Sequence, residues 1–364
     1  MRILHLSDRL TDRGGAYWHL LGVIAHQVGE HDVRLAVGLD DGRVATPCET
    51  LQVEGLDRRD RAPVALSAVV RSFAPDVIHV HTVMNPEVLE QVGALGSVRK
   101  VLTVQDHRYF CPGKGKWTDG GEVCREPMTE TLCQKCFHDD RYFHEILALT
   151  RVRLEALGAF ELVVLSRYMK RELEAVGLSS MTAIHLIPPF VHRLDRLDND
   201  TLSHDGPPCI LFVGRLVEAK GALEAVEVWK RARPDLPLVM AGAGSLRGAI
   251  DGCELLGWVP HDRLGALYRR AAAVVMPSRW QEPFGIVGLE AMTMGTPVAA
   301  WDSGGVRDWH PDPVAWGDLD ALADRLREIA GRNTSAPAGF TPERLMSRLL
   351  DVYQGAGIQQ GAGP

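Results

Sequence analysis

No stretch of the chain reaches the ~18 consecutive apolar residues that a membrane-spanning helix needs. The opening residues, MRILHLSDRL, are charged at Arg2 and Asp8. They lack the long apolar core of a secretion signal, so they read as a first strand. An excess of positive charge is also missing: 40 Lys and Arg face 47 Asp and Glu, a net charge of −7. That argues against a general nucleic-acid binder, which would more often be basic. The nucleotide P-loop spacing, Gly-x4-Gly-Lys-Ser/Thr, is absent. No internal repeat shows beyond an alternation of strand and helix. These absences lead us to expect a cytoplasmic protein, at most peripheral to a membrane. Its seven cysteines are then thiols or metal ligands sooner than structural disulfides.

What is present is ordinary for a soluble protein, with 46% hydrophobic and 24% charged residues. A length of 364 residues allows two domains. Short apolar runs alternate with longer amphipathic ones. The strand candidates are 2–6, 32–38, 76–81, 100–104 and 160–166, then 209–214, 236–242, 273–278 and 297–300. Continuous β-branched runs flanked by helices indicate parallel strands covered on both faces. The expected fold class is therefore α/β, with two doubly wound Rossmann-like domains. The polar segment HRLDRLDNDTLSHDGPP (192–208) interrupts the rhythm and reads as a linker. The expected division is 1–192, a linker at 193–208, a second domain at 209–340 and a helix at 341–356 crossing back to the first domain. A disordered tail is expected at 357–364. Such sheets bind ligands outside the carboxyl ends of their strands, and two of them would enclose a ligand.

The second half carries the clearest chemistry. FVGRLVEAKG (212–221) reads as strand, glycine turn, helix, with Gly214 making the turn. Arg215 and Lys220 follow the strand end, where two cations meet an anion. A helix opening at Gly221 would add N–H donors, an arrangement suited to a pyrophosphate. Two solvated surface cations are the alternative. RWQEPFGIVGLEAMTMGTPVAA (279–300) is nearly apolar but contains Glu282 and Glu290. The helix expected from about Gly285 is apolar all round, hence buried. A carboxylate inside it needs donors. A sugar diol would supply two hydroxyls to Glu290, and Glu282 would face another part of the ligand. Pro283 and Gly285 would fix the turn, leaving N–H groups from Phe284 to Val287 facing an anionic or polyhydroxylated ligand. Alternatively Glu290 pairs with a buried arginine and Glu282 is a helix-cap charge.

Taken in order, GRLVEAKG (214–221), MAGAGS (240–245), LLGWVP (255–260), EPFGIVGLEAMTMGTPVAA (282–300) and SGG (303–305) resemble glycosyltransferase family 4. These are retaining enzymes of the GT-B fold that use nucleotide sugars. The resemblance implies that Arg215 and Lys220 bind the donor diphosphate and that Glu290 holds the ribose hydroxyls. It implies contact between Glu282 and the donor sugar, and a phosphate and sugar site lined by the backbone of Phe284, Gly285, Ile286 and Val287. Gly242 and Gly244 would let the chain approach the nucleotide. The family's acid after the glycine pair is shortened here to Asp308.

In the first half, SDRLTDRGGAYWHLLGV (7–23) resembles the family's glycine-rich first loop, placing Gly14 and Gly15 beside donor and acceptor. A plain helix-start turn is the alternative. PDVIHVHT (75–82) resembles a strand leading to the ligand cleft; His81 faces that cleft or is a satisfied core histidine. Ser166 is expected to cap a helix. VQDHRYFCPG (104–113) departs from the family: His-Asp is usual, and Gln105-Asp106 stands here. Gln105 can donate a hydrogen bond but cannot titrate. Either it only orients the donor or His107 substitutes, with Asp106 orienting the acceptor hydroxyl.

Cys111, Cys124, Cys133 and Cys136 form a C-x12-C-x8-C-x2-C pattern in a segment too polar to build its own core. A structural tetrathiolate zinc site is the leading expectation, with free or redox-active thiols and disulfides as alternatives. Cys48, Cys209 and Cys253 read as ordinary thiols. The resemblance implies metal-independent transfer of a hexose from a UDP- or GDP-sugar to a hydroxyl acceptor on a glycan, a lipid-linked or a small molecule. No nucleic acid is expected as partner. A sugar-nucleotide epimerase, a phosphorylase and a non-catalytic nucleotide-sugar-binding subunit are the rival readings.

Overall fold

The computed structural model describes residues 1–192, 194 and 206–355. Most of the expected linker and the expected disordered tail lie outside the described residues. The chain divides into two compact units, Met1–Phe190 with Gly339–Pro364, and Val191–Ala338.

In the first unit the strands are β1 (Arg2–Leu10), β2 (Asp32–Asp40), β3 (Glu49–Gln52), β4 (Val77–Val80), β5 (Arg99–Val104), β6 (Glu161–Val164) and β7 (Ile184–Leu186). They form a parallel sheet in the order β3-β2-β1-β4-β5-β6-β7. Its helices are α1 (Gly15–Gln27), α2 (Leu66–Phe73), α3 (Pro86–Gly93), α4 (Glu130–Gln134), α5 (Asp140–Ala156) and α6 (Arg167–Ala175). Ser166 caps α6, its hydroxyl accepting the Met169 N–H at 3.1 Å. All four β4 residues are buried, as expected of a central parallel strand covered on both faces. One face carries a core built from Leu4, Leu6, Ile78, Val80, Leu102 and Leu162 with α2, α3 and α6.

The second unit has β8 (Cys209–Val213), β9 (Leu238–Ala241), β10 (Glu254–Gly257), β11 (Ala271–Met276) and β12 (Val298–Ala300), in the order β10-β9-β8-β11-β12. All pairs are again parallel. Its helices are α7 (Ala222–Ala232), α8 (His261–Arg270), α9 (Ile286–Thr293) and α10 (Leu319–Ile329). The strand order turns back at β8, so the loops after β8 and β11 open on either side of a topological switch point, where open α/β sheets hold ligands.

The last helix, α11 (Pro342–Gln354), returns to the first unit. Leu345, Met346, Leu349, Val352 and Tyr353 pack there with Ile3, Val23, Val77, Val101 and Val163.

Three strands fall where none was expected: β3, β7 and β10. Each is an edge strand without a fully buried residue along its length. An edge strand needs no continuous apolar run, so its sequence carries little period. No helix among the described residues is long and apolar enough to cross a membrane.

Candidate functional site

The loop after β8 makes a 3-10 turn at Glu218–Lys220 and hands over to α7 through Gly221. Gly221 has φ 69°, and a β-carbon there would fall 1.8 Å from the Pro277 carbonyl oxygen, so only glycine fits. The Ala219 carbonyl accepts the N–H groups of Arg279 and Trp280, both at 3.1 Å. Two loops from adjacent strands are thereby bound into one surface.

On that surface Lys220 meets Glu282. The ammonium donates to both carboxylate oxygens, at 2.7 and 3.0 Å. The Ser278 hydroxyl donates to Oε1 of the same carboxylate at 2.6 Å. Burial raises the Glu282 pKa, but the Lys220 charge and hydrogen bonds from Lys220, Ser278 and Trp280 outweigh it and hold the carboxyl below its ordinary value. Lys220 shifts down, because desolvation exceeds the gain from Glu282 and Arg215 repels it. The indole of Trp280 lies under both cations, 4.3 Å from the Lys220 nitrogen and 5.9 Å from the Arg215 guanidinium carbon. Arg215 itself is exposed.

The Ser303-Gly304-Gly305 turn supports Glu282 from beneath. Ser303 accepts the Glu282 N–H at 3.3 Å and donates to the Trp280 carbonyl at 2.6 Å. Gly305 N–H donates to the Glu282 carbonyl at 2.7 Å. A β-carbon on Gly304 would come within 2.3 Å of that carbonyl oxygen. Gly285 then precedes α9 in the left-handed region, with no side-chain cap on the helix. Gly285, Ile286 and Val287 are partly exposed. First-turn N–H groups of a helix lack intrahelical partners, so this end offers donors and positive potential.

Glu290 sits one turn deeper. Its oxygens take the Tyr268 hydroxyl at 2.8 Å and the His261 imidazole Nε2 at 2.9 Å. Where the alternative reading had a buried arginine, these two α8 side chains stand. Burial first, and the neighbouring carboxylate second, push the Tyr268 pKa well above its ordinary value. A carboxylate offers about four lone-pair sites, of which these contacts use two. Gly242 and Gly244 also have a reason other than the one implied. Their β-carbons would lie 1.8 Å from the Gly214 carbonyl oxygen and 2.2 Å from that of Leu216, so the glycines let the β9 loop press on the β8 loop. Asp308 ends a 3-10 turn, and the next residue, Trp309, packs against Gly288 and donates to the Phe284 carbonyl at 2.7 Å.

In the first unit, Gly14 and Gly15 are exposed at the start of α1. Asp8, at the carboxyl end of β1, accepts from Thr82 at 2.5 Å and from Tyr17 at 3.0 Å. Nothing in its sequence context marked Asp8; only the β1–β4 pairing brings Thr82 to it. Asp106 caps the 3-10 turn His107–Tyr109 and pairs with the Arg108 guanidinium at 3.0 Å. Burial raises its pKa, but the Arg108 charge and hydrogen bonds prevail and lower it. Both polar atoms of the Gln105 amide are buried without a hydrogen-bond partner. A pair of buried, unmet amide groups costs free energy that a polyhydroxylated ligand would recover. His107, the alternative to Gln105, turns elsewhere. It is buried, with Nε2 3.0 Å from the Tyr168 hydroxyl.

His81 is likewise a core residue, fully buried and 3.0 Å from His5. With His79 they form the group of His, Cys, Asp and Glu side chains, among the described residues, whose ligating atoms all lie within 4.8 Å. The partners of this trio are internal: Gln27 at 2.7 Å for His5, and Thr103 at 2.7 Å and Tyr353 at 2.5 Å for His79.

The geometry of the second unit coincides with a family signature. Residues 195–314 match the family of glycosyl transferases group 1. That span contains Arg215, Lys220, Trp280, Glu282, Glu290 and the SGG turn. An uncharacterized glycosyltransferase of Methanocaldococcus jannaschii is 39% identical, over 41% of this chain and 45% of the relative. The D-inositol 3-phosphate glycosyltransferase of Paenarthrobacter aurescens is 34% identical, over 40% of this chain and 44% of its own. The matched stretch therefore spans about half the length of these curated relatives. Anabaena HepE in complex with UDP-glucose superposes with a TM-score of 0.61 at 16% identity, over 98% of each chain. The fold is GT-B.

Proposed function

We propose that the protein is a retaining glycosyltransferase of family 4 type, which moves a hexose from a nucleoside diphosphate sugar to a hydroxyl acceptor without a metal ion at the diphosphate. The observation that carries this reading is that Arg215 and Lys220 both approach the Trp280 ring, with Lys220 hydrogen-bonded to the Glu282 that precedes the start of α9, which has no side-chain cap. Two cations and a helix N-terminus supply the kind of charge and donors a diphosphate takes. The match to group 1 glycosyl transferases over residues 195–314 supports it. The likeness to a fold that holds UDP-glucose makes UDP-sugars the first donors to try.

In this reading the bond between the anomeric carbon and the diphosphate oxygen breaks while the bond to the acceptor oxygen forms on the same face. The acceptor's proton passes to the departing phosphate oxygen, so no protein nucleophile is required. Arg215 and Lys220 lower the barrier by meeting negative charge as it develops. Glu282 holds the Lys220 ammonium in the free protein. When the diphosphate takes over part of that ammonium, the carboxylate is released to accept hydroxyls of the donor sugar. Phe284, Gly285, Ile286 and Val287 offer backbone donors, and Glu290 offers its remaining lone pairs to ribose. Gly14, Gly15 and Gln105 complete the donor contacts, and Asp106 orients the acceptor.

Calorimetric titration with UDP, GDP and their sugars, followed by donor consumption with and without an acceptor panel, tests the assignment. Lys220→Ala is expected to weaken donor binding or turnover by at least about tenfold, the loss of one charge-assisted contact. Near-wild-type kinetics in that variant, with a native thermal midpoint, contradicts the diphosphate site. Donor binding without transfer to any acceptor points instead to a nucleotide-sugar-binding subunit.

A further inference from the structure

The segment between Cys111 and Cys136 has a construction that glycosyl transfer leaves unexplained. Over these residues the ordered structure is a small hairpin closed by an antiparallel bridge between Trp117 and Val123, followed by the single turn and a half of α4. Trp117 is the one large apolar side chain in it that is buried. A segment of this length ordered around one indole lacks the apolar burial that offsets its conformational entropy. Something else holds it.

The four thiols are gathered in that place. A β-carbon on Gly113 would lie 3.9 Å from the Cys111 sulfur and 3.9 Å from the Cys136 sulfur. The electrostatic neighbours of the Cys133 thiol are Cys111, Cys124 and Cys136. The hairpin brings Cys124 back, its N–H donating to the Lys116 carbonyl at 2.9 Å. In the C-x2-C pair, the Cys136 N–H donates to the Cys133 carbonyl at 3.0 Å. None of the four is in a disulfide.

The backbone N–H groups of Lys116, Gly113 and Gly115 all point at the Cys111 sulfur. That loop is possible because Gly115 and Lys116 adopt positive φ, 77° and 60°. A non-glycine residue at positive φ is uncommon, so the turn is held in shape for a reason. Lys116 is buried, with 4% of its side chain exposed, and pairs with Glu172 of α6 at 2.9 Å. It sets a positive charge beside Cys111. Burial nonetheless raises the Cys111 thiol above its ordinary pKa, the three amide donors and Lys116 opposing that without outweighing it, so deprotonation falls to a bound ion.

We propose that Cys111, Cys124, Cys133 and Cys136 bind one zinc ion as a structural tetrathiolate site. Binding converts four thiols and Zn2+ into a complex of charge −2 with release of four protons, and Lys116 offsets part of that charge. The sulfurs do not yet meet the mutual 4.8 Å spacing reached by the histidine trio. Closing on the ion draws them in, through a hairpin loop that carries Gly120 and Gly121. Four-coordinate sulfur sites of this kind are closed and serve folding, not chemistry. Cys111 donates its N–H to the His107 carbonyl at 2.7 Å, so the ion anchors the turn that carries Arg108 and is capped by Asp106.

Elemental analysis of reduced, full-length protein, purified without chelator, should find about one zinc per chain. Titration with an organomercurial, read with a zinc dye, should release that zinc in step with thiol modification. The Cys48→Ser, Cys209→Ser, Cys253→Ser variant should keep the metal, and Cys133→Ser with Cys136→Ser should lose it. Should the latter fail to fold, the mercurial titration of the unaltered protein still decides. Folded, reduced protein without metal overturns the proposal. So does iron in zinc's place, or release of zinc only when thiols outside the four are modified.

Discussion

Glu290 is the residue whose role the geometry redefines most. Its carboxylate has donors from Tyr268 and His261 in the free protein, so it ties α8 to α9 and keeps spare lone pairs for a ligand. The two roles separate by substitution. Glu290→Ala strands a buried hydroxyl and an imidazole, and that costs about 1–3 kcal/mol for each group left unmet. A lost activity in it would be ambiguous. Tyr268→Phe removes a donor to the carboxylate and nothing that a ligand touches. It should lower the thermal midpoint while changing nucleotide affinity less than about threefold, whereas Glu290→Gln should weaken affinity by about tenfold or more with a smaller loss of midpoint. If calorimetry gives both variants the same affinity, Glu290 is a strut and not a ribose ligand. The sequence made Glu290 conspicuous because a carboxylate inside an apolar helix demands donors. It could not say which donors, since His261 and Tyr268 are 29 and 22 residues away and meet it only through packing. Trp280 escaped notice for a similar reason: an indole becomes a cation platform only when two loops converge on it.

At the scale of elements, the strands legible in the sequence were the buried ones, the central strands and the edge strand β12, all three of whose residues are buried. The edge strands β3, β7 and β10 are half solvated, and their residues, ETLQ, IHL and ELLG, spell no period. The pairing of β1 with β4 has a consequence of its own. It sets His5 beside His79 in register, with His81 two residues on and so on the same face. Burial lowers the pKa of His5 to about 4 and does the same to His19. His79 and His81 go well below the ordinary value through burial first and the other imidazoles second. The surrounding side chains, Gln27, Thr103 and Tyr353, are neutral and offer no compensating charge. The folded state therefore binds fewer protons than the unfolded one below the ordinary value of 6.5, and stability must fall as protons are added. This contribution is complete above about pH 6.5 and erodes toward pH 4, by up to about 1.4 kcal/mol per histidine per pH unit. The urea midpoint should drop steeply across that window. A midpoint that stays level from pH 7 to pH 4.5 would mean that these imidazoles are already charged in the native protein.

For the molecule as a whole, the decisive feature is that the chain comes back. The first unit is assembled from Met1–Phe190 and from residues beyond Ala338, with the second unit intervening. The return is not a loose appendage. Leu345, Met346, Leu349, Val352 and Tyr353 are each at most 6% exposed against the sheet, and burying one such side chain stabilises by about 1.5–3 kcal/mol. Five of them amount to about 10 kcal/mol, as much as the whole stability of a typical domain. Polar contacts add direction: the Arg99 guanidinium donates to the Val352 carbonyl at 2.6 Å, and Tyr353 meets His79 at 2.5 Å. The second unit has no such dependence, because its core of Ile210, Phe212, Val226, Met240, Val275 and Leu322 is drawn from its own span. A chain ended after Ala338 is therefore expected to lose its first unit and keep its second. Hydrogen exchange read by mass spectrometry would see this as lost protection in β1, β4 and β5 with protection retained in β8, β9 and β11. UDP or GDP binding, if it resides on Arg215 and Lys220, should survive the truncation at reduced affinity while transfer activity disappears. Unchanged protection in β1 and β4 would show that α11 decorates a unit already complete without it.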